Sequence, residues 1–321
     1  MATRMAVPSL LALSLTFGGC DSSTGPKVNE DPRWSGPPRE VSLQRSFELA
    51  NASPTEAITV RFDTPDLEVS RNVVVVVRSE THPVVGVDRA VNGMPRVAFE
   101  IQLPPGGETH LEITWDLTLR RFDALADTTG APLLGSADAT AYLEAADRIE
   151  SDHPAIQATA EEVTMGLAGS LAMVQAIVGF VRDHLDYELQ TETRGALWAL
   201  ENGRGDCTEY ATLAVALAQA ADIPARVTGV ENMVSTSGSS TYDNHSAAEF
   251  WVEGSGWTPV DVNYAQSPVG VIPIRSVFLR WGLMTPRDRE SHAAAWYTWR
   301  TVSGPTGQLQ VRNMGHVWEE G

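Results

Sequence analysis

Three residue types that together make a nucleophilic acyl-transfer site occur in order within one stretch of the chain. Cys207 follows a glycine-containing segment, His245 follows a polar loop, and Asp261 closes the next apolar run. A thiol nucleophile needs a base that takes its proton and a third group that orients that base. The order of the residues therefore predicts a cysteine nucleophile, a histidine base and an orienting aspartate.

The elements predicted around these residues give each of them a defined position. Cys207 stands at the start of an apolar helix that ends before Pro224. The first turn of a helix offers unpaired amide donors and a partial positive charge, and both stabilise a thiolate. His245 and Asp261 fall on two adjacent strands joined by a turn at 254–256. The alternative interpretation of Cys207 is a small buried apolar residue.

The orienting acid has a second candidate in the sequence. A tight turn centred on Ser255 would place Asp261 opposite Glu249 rather than opposite His245. Either the turn is asymmetric and Asp261 orients the imidazole, or Glu249 helps to support the site. Asp206, beside the nucleophile, is predicted to be a helix-cap carboxylate.

Several short motifs in this stretch resemble the transglutaminase-like superfamily in their order and spacing. They are Gly205-Asp206-Cys207, Tyr210-Ala211, Ile223-Pro224-Ala225-Arg226-Val227, His245, Glu249, Gly256-Trp257 and Pro259-Val260-Asp261, with Asp186-Tyr187 upstream. The resemblance covers about residues 140–264 and implies a papain-like fold, in which a cysteine-bearing helix packs on an antiparallel sheet. It also implies that Cys207 is the nucleophile, His245 the general base and acid, and Asp261 the orienting group.

The resemblance extends to residues that would support the chemistry. Backbone amides near the nucleophile are oxyanion donors in such sites, so the amide of Cys207 is a candidate. Tyr187 and Trp198 are candidates for a side-chain donor, and Trp257 is a further supporting residue within the matched motifs. Ala247 stands where the family often has tryptophan, which predicts a wider or less polar cleft on that side.

Around the site, the sequence predicts an α+β protein built from two parts. Short alternating runs separated by turn residues predict an N-terminal β-sandwich over residues 41–122. Apolar residues at spacings of three and four then predict helices. Residues 137–321 are assigned to the transglutaminase-like domain, with helices packed on an antiparallel sheet. The sandwich carries no catalytic motif, and it is a candidate for docking an envelope partner.

The first forty residues predict export and anchoring. A short basic start, an apolar stretch and small residues before Cys20 are typical of a secretory signal over residues 1–19. Leu15-Thr16-Phe17-Gly18-Gly19-Cys20 resembles the lipobox of bacterial lipoproteins, which implies a lipid on Cys20 and attachment to a membrane of the cell envelope. The alternative is a plain secretory signal with an incidental cysteine. Residues 20–40 are rich in Ser, Pro, Gly and acidic residues, which predicts a flexible tether.

The composition limits the possible partners and cofactors. The chain has 321 residues, with 41 acidic against 23 basic residues and a formal net charge of -18. Since a phosphate backbone needs a basic surface, nucleic acid is excluded as the main partner. Cys20 and Cys207 are the two cysteines, and two cannot build a disulfide scaffold or a four-thiolate zinc site. Since no pair of His, Asp or Glu has metal-ligand spacing beyond chance, no metal and no cofactor are predicted.

These observations predict cysteine-dependent acyl transfer on amide bonds of peptides or proteins, through a thioester intermediate. A cysteine peptidase or a deamidase is the alternative within enzymes, because the sequence does not show whether water or an amine is the acceptor. A non-catalytic module that binds protein or glycan on the cell envelope is the alternative outside enzymes.

Overall fold

The computed structural model describes most of the chain between Asp31 and Glu320. The described residues are 31–65, 67, 70–89, 95–128, 140–232, 244–279 and 298–320. The predicted signal peptide, the lipidation site Cys20, the first part of the predicted tether and the polar loop over residues 233–243 lie outside the described residues. Pro32–Gly321 form one compact unit.

The named elements of the described residues comprise fifteen strands and four helices. In chain order they are β1 (Trp34–Asn51), β2 (Ile58–Pro65), β3 (Val73–Glu80), β4 (Val84–Arg89), β5 (Pro95–Leu103), β6 (Glu108–Asp123), α1 (Pro154–Thr164), α2 (Ser170–His184), β7 (Asp186–Tyr187), α3 (Ala196–Asn202), β8 (Arg204–Gly205), α4 (Cys207–Ala220), β9 (Ala225–Asn232), β10 (Asn244–Val252), β11 (Gly256–Val260), β12 (Val271–Ile272), β13 (Ser276–Leu279), β14 (Thr298–Ser303) and β15 (Leu309–Glu320).

Two antiparallel sheets pack face to face as a sandwich. One has the strand order β12-β6-β1-β15 with β3 beside β6, and the other has the order β14-β2-β5-β4. In β1, the odd-numbered residues from Val41 to Leu49 are buried and the residues between them are half-buried, so one face of the strand points inward. Apolar side chains of both sheets share one core, where the rings of Phe47 and Phe62 lie 4.7 Å apart. The predicted α+β fold with a strand-rich N-terminal half is confirmed.

Two C-terminal strands complete this sandwich. β15 pairs with β1 and β14 pairs with β2, both antiparallel. Residues 137–321 are expected to form one domain, yet β14 and β15 within this range pair with strands of the sandwich. The alternation within a strand reveals that it is half-buried, but it does not reveal which distant strand it pairs with.

The first strand begins within the segment that was predicted to be a tether. That prediction extended to residue 40, yet β1 begins at Trp34, which pairs with Phe122. The indole Nε1 of Trp34 donates to the carbonyl of Arg71 at 2.8 Å, and its ring packs on a buried apolar cluster. One aromatic side chain with buried partners therefore orders a segment that is otherwise polar.

The second part packs helices on the antiparallel sheet β11-β10-β9-β13. Helix α4 is buried along most of its length and contacts α1, α2, α3 and strand β10. A helix that is apolar on all sides is expected at the centre of a fold. The predicted packing of a cysteine-bearing helix on an antiparallel sheet is confirmed. No helix in the part of the chain that the structure describes is both long and apolar enough to cross a membrane.

Candidate active site

Cys207 is the first residue of helix α4, where a local cap fixes the start of the helix. Oδ1 of Asp206 accepts a hydrogen bond from the amide of Thr208 at 2.9 Å. The amide of Asp206 in turn donates to Oε2 of Glu209 at 3.1 Å, which completes a capping box. The predicted role of Asp206 as a helix cap is confirmed. Cys207 therefore lies at the positive end of the helix dipole, among the first-turn amides of α4.

The buried carboxylate of Glu209 joins this cap to the preceding segment. Its Oε1 accepts from the amide of Arg194 at 2.7 Å, while Oδ2 of Asp206 accepts from the amide of Gln190 at 3.1 Å. Burial raises the pKa of Glu209, and the hydrogen bond from the Arg194 amide opposes that rise. A Cβ on Gly205 would lie 2.3 Å from Cβ of Glu209, so this turn requires glycine.

The short parallel pair β7–β8 places Tyr187 beside the nucleophile. Tyr187 pairs with Gly205, which lies two residues before Cys207. The amide of Glu188 donates to the carbonyl of Gly205 at 2.9 Å and extends this pairing. With 56% of its surface exposed, Tyr187 is the sequence-predicted oxyanion candidate that the structure places next to the turn carrying Cys207.

The two predicted tryptophans pack against arginines. The ring of Trp198, on α3, has the guanidinium groups of Arg194 and Arg204 at 5.6 and 5.7 Å from its centroid. The ring of Trp257, on β11, has the guanidinium of Arg226 at 4.1 Å. These cation–π contacts give both rings a packing role.

His245 contacts the side chains of both Cys207 and Asp261. Its Nε2 lies 2.8 Å from Oδ2 of Asp261. Burial alone would lower the pKa of His245, but hydrogen bonds with the side chains of Asp261 and Cys207 outweigh it and raise the pKa to about 10. The structure therefore brings the three sequence-predicted residues together, with a protonated imidazole at neutral pH.

The strand register explains how Asp261 reaches the imidazole. Val252 pairs with Gly256 and Ala248 with Val260, so the turn is centred on residue 254 rather than on residue 255. Asp261 directly follows β11 and comes next to Ala247, diagonal to His245 on the same face of the sheet. The turn therefore lies one residue before the position expected from the sequence, and this shift brings Asp261 to the imidazole.

Glu249, the second candidate for the orienting acid, belongs to a buried ion cluster. One carboxylate oxygen accepts from Nε of Arg226 at 2.7 Å, and the other lies 3.2 Å from a terminal nitrogen of Arg71. Arg226 also donates to the hydroxyl of Tyr142 at 3.3 Å. The structure therefore places Glu249 among arginines and places Asp261 at the imidazole.

Arg182 fixes the backbone around Asp261, and the sequence analysis did not select it as a site residue. Its guanidinium donates to the carbonyls of Asp261, Val262 and Ser267, each at 2.9 Å. Burial lowers the pKa of Arg182, and the charge of Asp261 opposes this. The one signal in the sequence is an arginine near the end of a mostly apolar helix, which does not indicate what the arginine binds.

Ala247 is fully buried in a cluster to which both parts of the molecule contribute. The other buried members of this cluster are Phe122, Ala124, Val230 and Ile272. Phe122 and Ile272 come from the sandwich strands β6 and β12, so the surroundings of the alanine are apolar. This agrees with the expected lower polarity beside Ala247, and the wider cleft stays a prediction.

A known protein family matches the segment that contains Cys207, His245 and Asp261. Residues 157–262 match the family model of the transglutaminase-like superfamily. The chain carries a transglutaminase-like domain. The matched range contains Cys207, His245 and Asp261, and the predicted resemblance is confirmed. None of the curated protein sequences matches the chain.

One solved structure shares its fold with this chain beyond the transglutaminase-like domain. A candidate cysteine protease from Cytophaga hutchinsonii superposes with a TM-score of 0.53 and 15% identity, covering 88% of this chain and 99% of that chain. The periplasmic domain of TgpA from Pseudomonas aeruginosa superposes with a TM-score of 0.36 and 17% identity, covering 70% of this chain and 90% of that chain. The first likeness shows a shared overall fold.

Proposed function

We propose that the transglutaminase-like domain is a cysteine-dependent acyl-transfer enzyme that acts on amide bonds of peptides or proteins. The observation that carries this proposal is the position of His245, which contacts the side chains of both Cys207 and Asp261. A base between a thiol and an orienting carboxylate is the arrangement that thiol-based nucleophilic catalysis requires.

The geometry supports a defined sequence of proton transfers. Since Nε2 of His245 is directed at Asp261, Nδ1 is the nitrogen available to the thiol. The Cys207 thiolate attacks the amide carbonyl, and the C–N bond breaks as Nδ1 gives its proton to the leaving amine. Water or an amine then attacks the thioester and returns a proton to Nδ1 while the thiolate leaves.

The negative charge of the tetrahedral intermediates would be met by donors near the nucleophile. The amide of Cys207 lies at the open end of helix α4, where the first-turn amides have no partner within the helix. Tyr187 stands beside the same turn through its pairing with Gly205. We assign these two groups as the candidate oxyanion donors.

The reactivity of Cys207 tests the proposal without a known substrate. A Cys20→Ser chain has one thiol, so the rate of its alkylation by iodoacetamide reports on Cys207 alone. We expect rapid alkylation at neutral and mildly acidic pH, and a fall of about 10- to 100-fold in His245→Ala because the thiolate loses its partner. His184→Ala, which removes a histidine bonded to the carbonyl of Leu200, is the matched control.

The outcomes separate the functional alternatives. Ordinary thiol reactivity that is unaffected by His245→Ala would favour a non-catalytic binding module. If the thiol is activated, casein supplied with a fluorescent amine identifies the acceptor. Incorporation of the amine indicates cross-linking, release of peptides indicates a peptidase, and release of ammonia alone indicates a deamidase.

We also propose that the chain is exported and held at a membrane of the cell envelope by a lipid on Cys20. The lipobox-like motif that ends at Cys20 supports this, as does the polar segment that follows it. In cell fractions, Cys20→Ser should move the protein from the membrane to the soluble fraction. Retention of the variant in the membrane would contradict the anchor. The sandwich, which carries no catalytic motif, remains the candidate surface for an envelope partner.

A further inference from the structure

One arginine of the sandwich reaches the strands that carry the His–Asp pair. Arg71 lies in the turn directly before β3. One terminal nitrogen donates to the carbonyl of Trp257 on β11, and the other lies 3.2 Å from Oε1 of Glu249 on β10. A single guanidinium therefore bridges both strands, of which β10 carries His245 and β11 leads into Asp261.

The sandwich holds Arg71 in a defined position. Its carbonyl accepts from the indole of Trp34 at 2.8 Å, and its guanidinium lies 5.8 Å from the ring centroid of Phe122. The adjacent Asn72 donates from Nδ2 to the carbonyl of Ser276 at 2.6 Å. Only 11% of the Arg71 side chain is exposed. A planar guanidinium fixed in this way loses little freedom when it binds two acceptors.

Glu249 makes the contact with Arg71 specific. Its side chain is almost fully buried, and a buried carboxylate is tolerated only when opposite charges and hydrogen bonds compensate it. Arg226 supplies one such charge from within the transglutaminase-like domain, and Arg71 supplies the second from the sandwich. Loss of Arg71 would leave this carboxylate with Arg226 as its remaining arginine in the cluster.

We propose that Arg71 is a positioning residue of the site, through which the sandwich sets the placement of Asp261 against His245. Glu249 lies four residues after His245, on the same face of β10. Trp257 lies on the five-residue strand β11, which Asp261 directly follows. A shift at either contact would therefore be passed along a short strand to the imidazole or to its carboxylate partner.

The apolar contact between the two parts runs along the same face. Ala247 lies between His245 and Glu249 and is packed on Phe122 and Ile272 of the sandwich. Apolar packing of this kind excludes water but has little directional preference. Arg71 adds a directional contact to the two strands of the site, because it binds one carbonyl on β11 and one carboxylate on β10. The inference rests on the proposed function of the transglutaminase-like domain.

Arg71→Met tests the inference because methionine keeps an unbranched apolar side chain and removes both donors. In the Cys20→Ser chain, we expect the alkylation rate of Cys207 at neutral pH to fall by about 10- to 100-fold. We also expect its pH profile to move to higher pH, because a displaced imidazolium stabilises the thiolate less. Arg71→Lys keeps the charge but loses the planar guanidinium, so its alkylation rate should lie between those of the parent and Arg71→Met. Arg312→Met, at an arginine with 74% of its side chain exposed, is the matched control and should leave rate and profile unchanged.

The parent chain tests the proposed function, and the Arg71 variants test the positioning role. Ordinary thiol reactivity in the parent chain overturns the proposed function, and the inference with it. Rapid alkylation in the parent, combined with an unchanged rate and pH profile in Arg71→Met, overturns the inference alone, even if the melting temperature falls. If Arg71→Met does not fold, Arg71→Lys decides the question. A shifted profile then supports the positioning role, and an unchanged profile overturns it.

Discussion

The two ends of the candidate site are held in place by different kinds of contact. At the nucleophile end, Cys207 depends on the Asp206–Glu209 cap and on the pairing of β7 with β8, all within residues 186–209. At the base end, Asp261 is held by Arg182, 79 residues away, and β11 is held by Arg71, 186 residues away from its partner Trp257. The environment of the thiol is thus a local property, whereas the orientation of the base is a property of the whole fold.

This contrast predicts which substitutions change chemistry and which change stability. Substitutions at the base end should slow the reaction strongly, because the carboxylate that contacts the imidazole is held by residues far away in the sequence. Substitutions at the nucleophile end should act mainly through the stability of one helix start. Four variants, taken from the largest expected effect to the smallest, test this division.

Asp261→Asn should have the largest effect on activity. The amide that replaces the carboxylate cannot balance the imidazolium or hold one tautomer, so turnover should fall by about a thousandfold. The pKa of His245, about 10 in the folded protein, should also fall. Turnover of the substrate that the screen identifies, and NMR titration of the His245 ring, measure the two effects.

The ion pair between His245 and Asp261 also predicts how the stability of the protein depends on pH. Because the folded-state pKa of His245 lies above its unfolded value of 6.5, its stabilisation is fully present below pH 6.5. It is lost as the pH rises toward about 10. In urea titrations, the parent should therefore lose more stability than Asp261→Asn over this range, and equal losses would contradict the assignment.

Arg182→Met should have the next largest effect. It removes the donors to three backbone carbonyls around Asp261, and a displacement of that carboxylate should slow alkylation of Cys207 by about tenfold. Arg312→Met is the control, since Arg312 forms an exposed ion pair with Glu48 and such pairs contribute little. A rate in Arg182→Met equal to that of the control would show that the base end does not depend on this helix.

Gly205→Ala should destabilise the nucleophile end by about 1–3 kcal/mol, because the new Cβ would lie 2.3 Å from Cβ of Glu209. Gly179→Ala is a matched control in the middle of α2, where an added Cβ has no neighbour within 4 Å. That change should stabilise the protein by about 0.5–1 kcal/mol through helix propensity. Urea unfolding of both variants measures the difference, and equal stabilities would mean that the turn at Gly205 has room to adjust.

Asp206→Ala should have the smallest effect. It removes the carboxylate that accepts hydrogen bonds from the amides of Thr208 and Gln190. This loss should lower the free energy of unfolding by about 1 kcal/mol. Asp206→Ser restores a capping oxygen and should recover part of that loss. The titration of His245 should stay close to that of the parent in both variants. A large shift would show that the two ends are not independent.

The site residues that the sequence predicted are those with local signals. Cys207 follows a glycine turn and begins an apolar helix, and His245 and Asp261 flank one hairpin, so short windows of sequence reveal them. Arg71 and Arg182 were not selected, because their partners are backbone carbonyls and a carboxylate that only the folded chain brings near. Glu249 was selected for its strand position, but its arginine partners could not be inferred from that position.

The same limit applies to the fold. Alternation predicted a sandwich, and an apolar run predicted the buried helix α4, since burial leaves a periodic pattern in the sequence. The turn between β10 and β11 was misplaced by one residue, because Gly254-Ser255-Gly256 has two glycines and the sequence does not show which position is its centre. The neighbours of Ala247 could not be predicted either, since Phe122 comes from another part of the molecule.

The pairing of Val41 with Glu320 has a consequence for how the protein folds. The transglutaminase-like domain is inserted within the sandwich, because β14 and β15 follow it in the chain and pair with β2 and β1. During synthesis β1 can pair with β15 only after the rest of the chain has been made, and closing so long a loop is a slow step. A chain that ended after β13 would keep every site residue but would turn β1 and β2 into edge strands of their sheets. The sandwich that carries Arg71 is therefore complete only after the two ends of the chain have met.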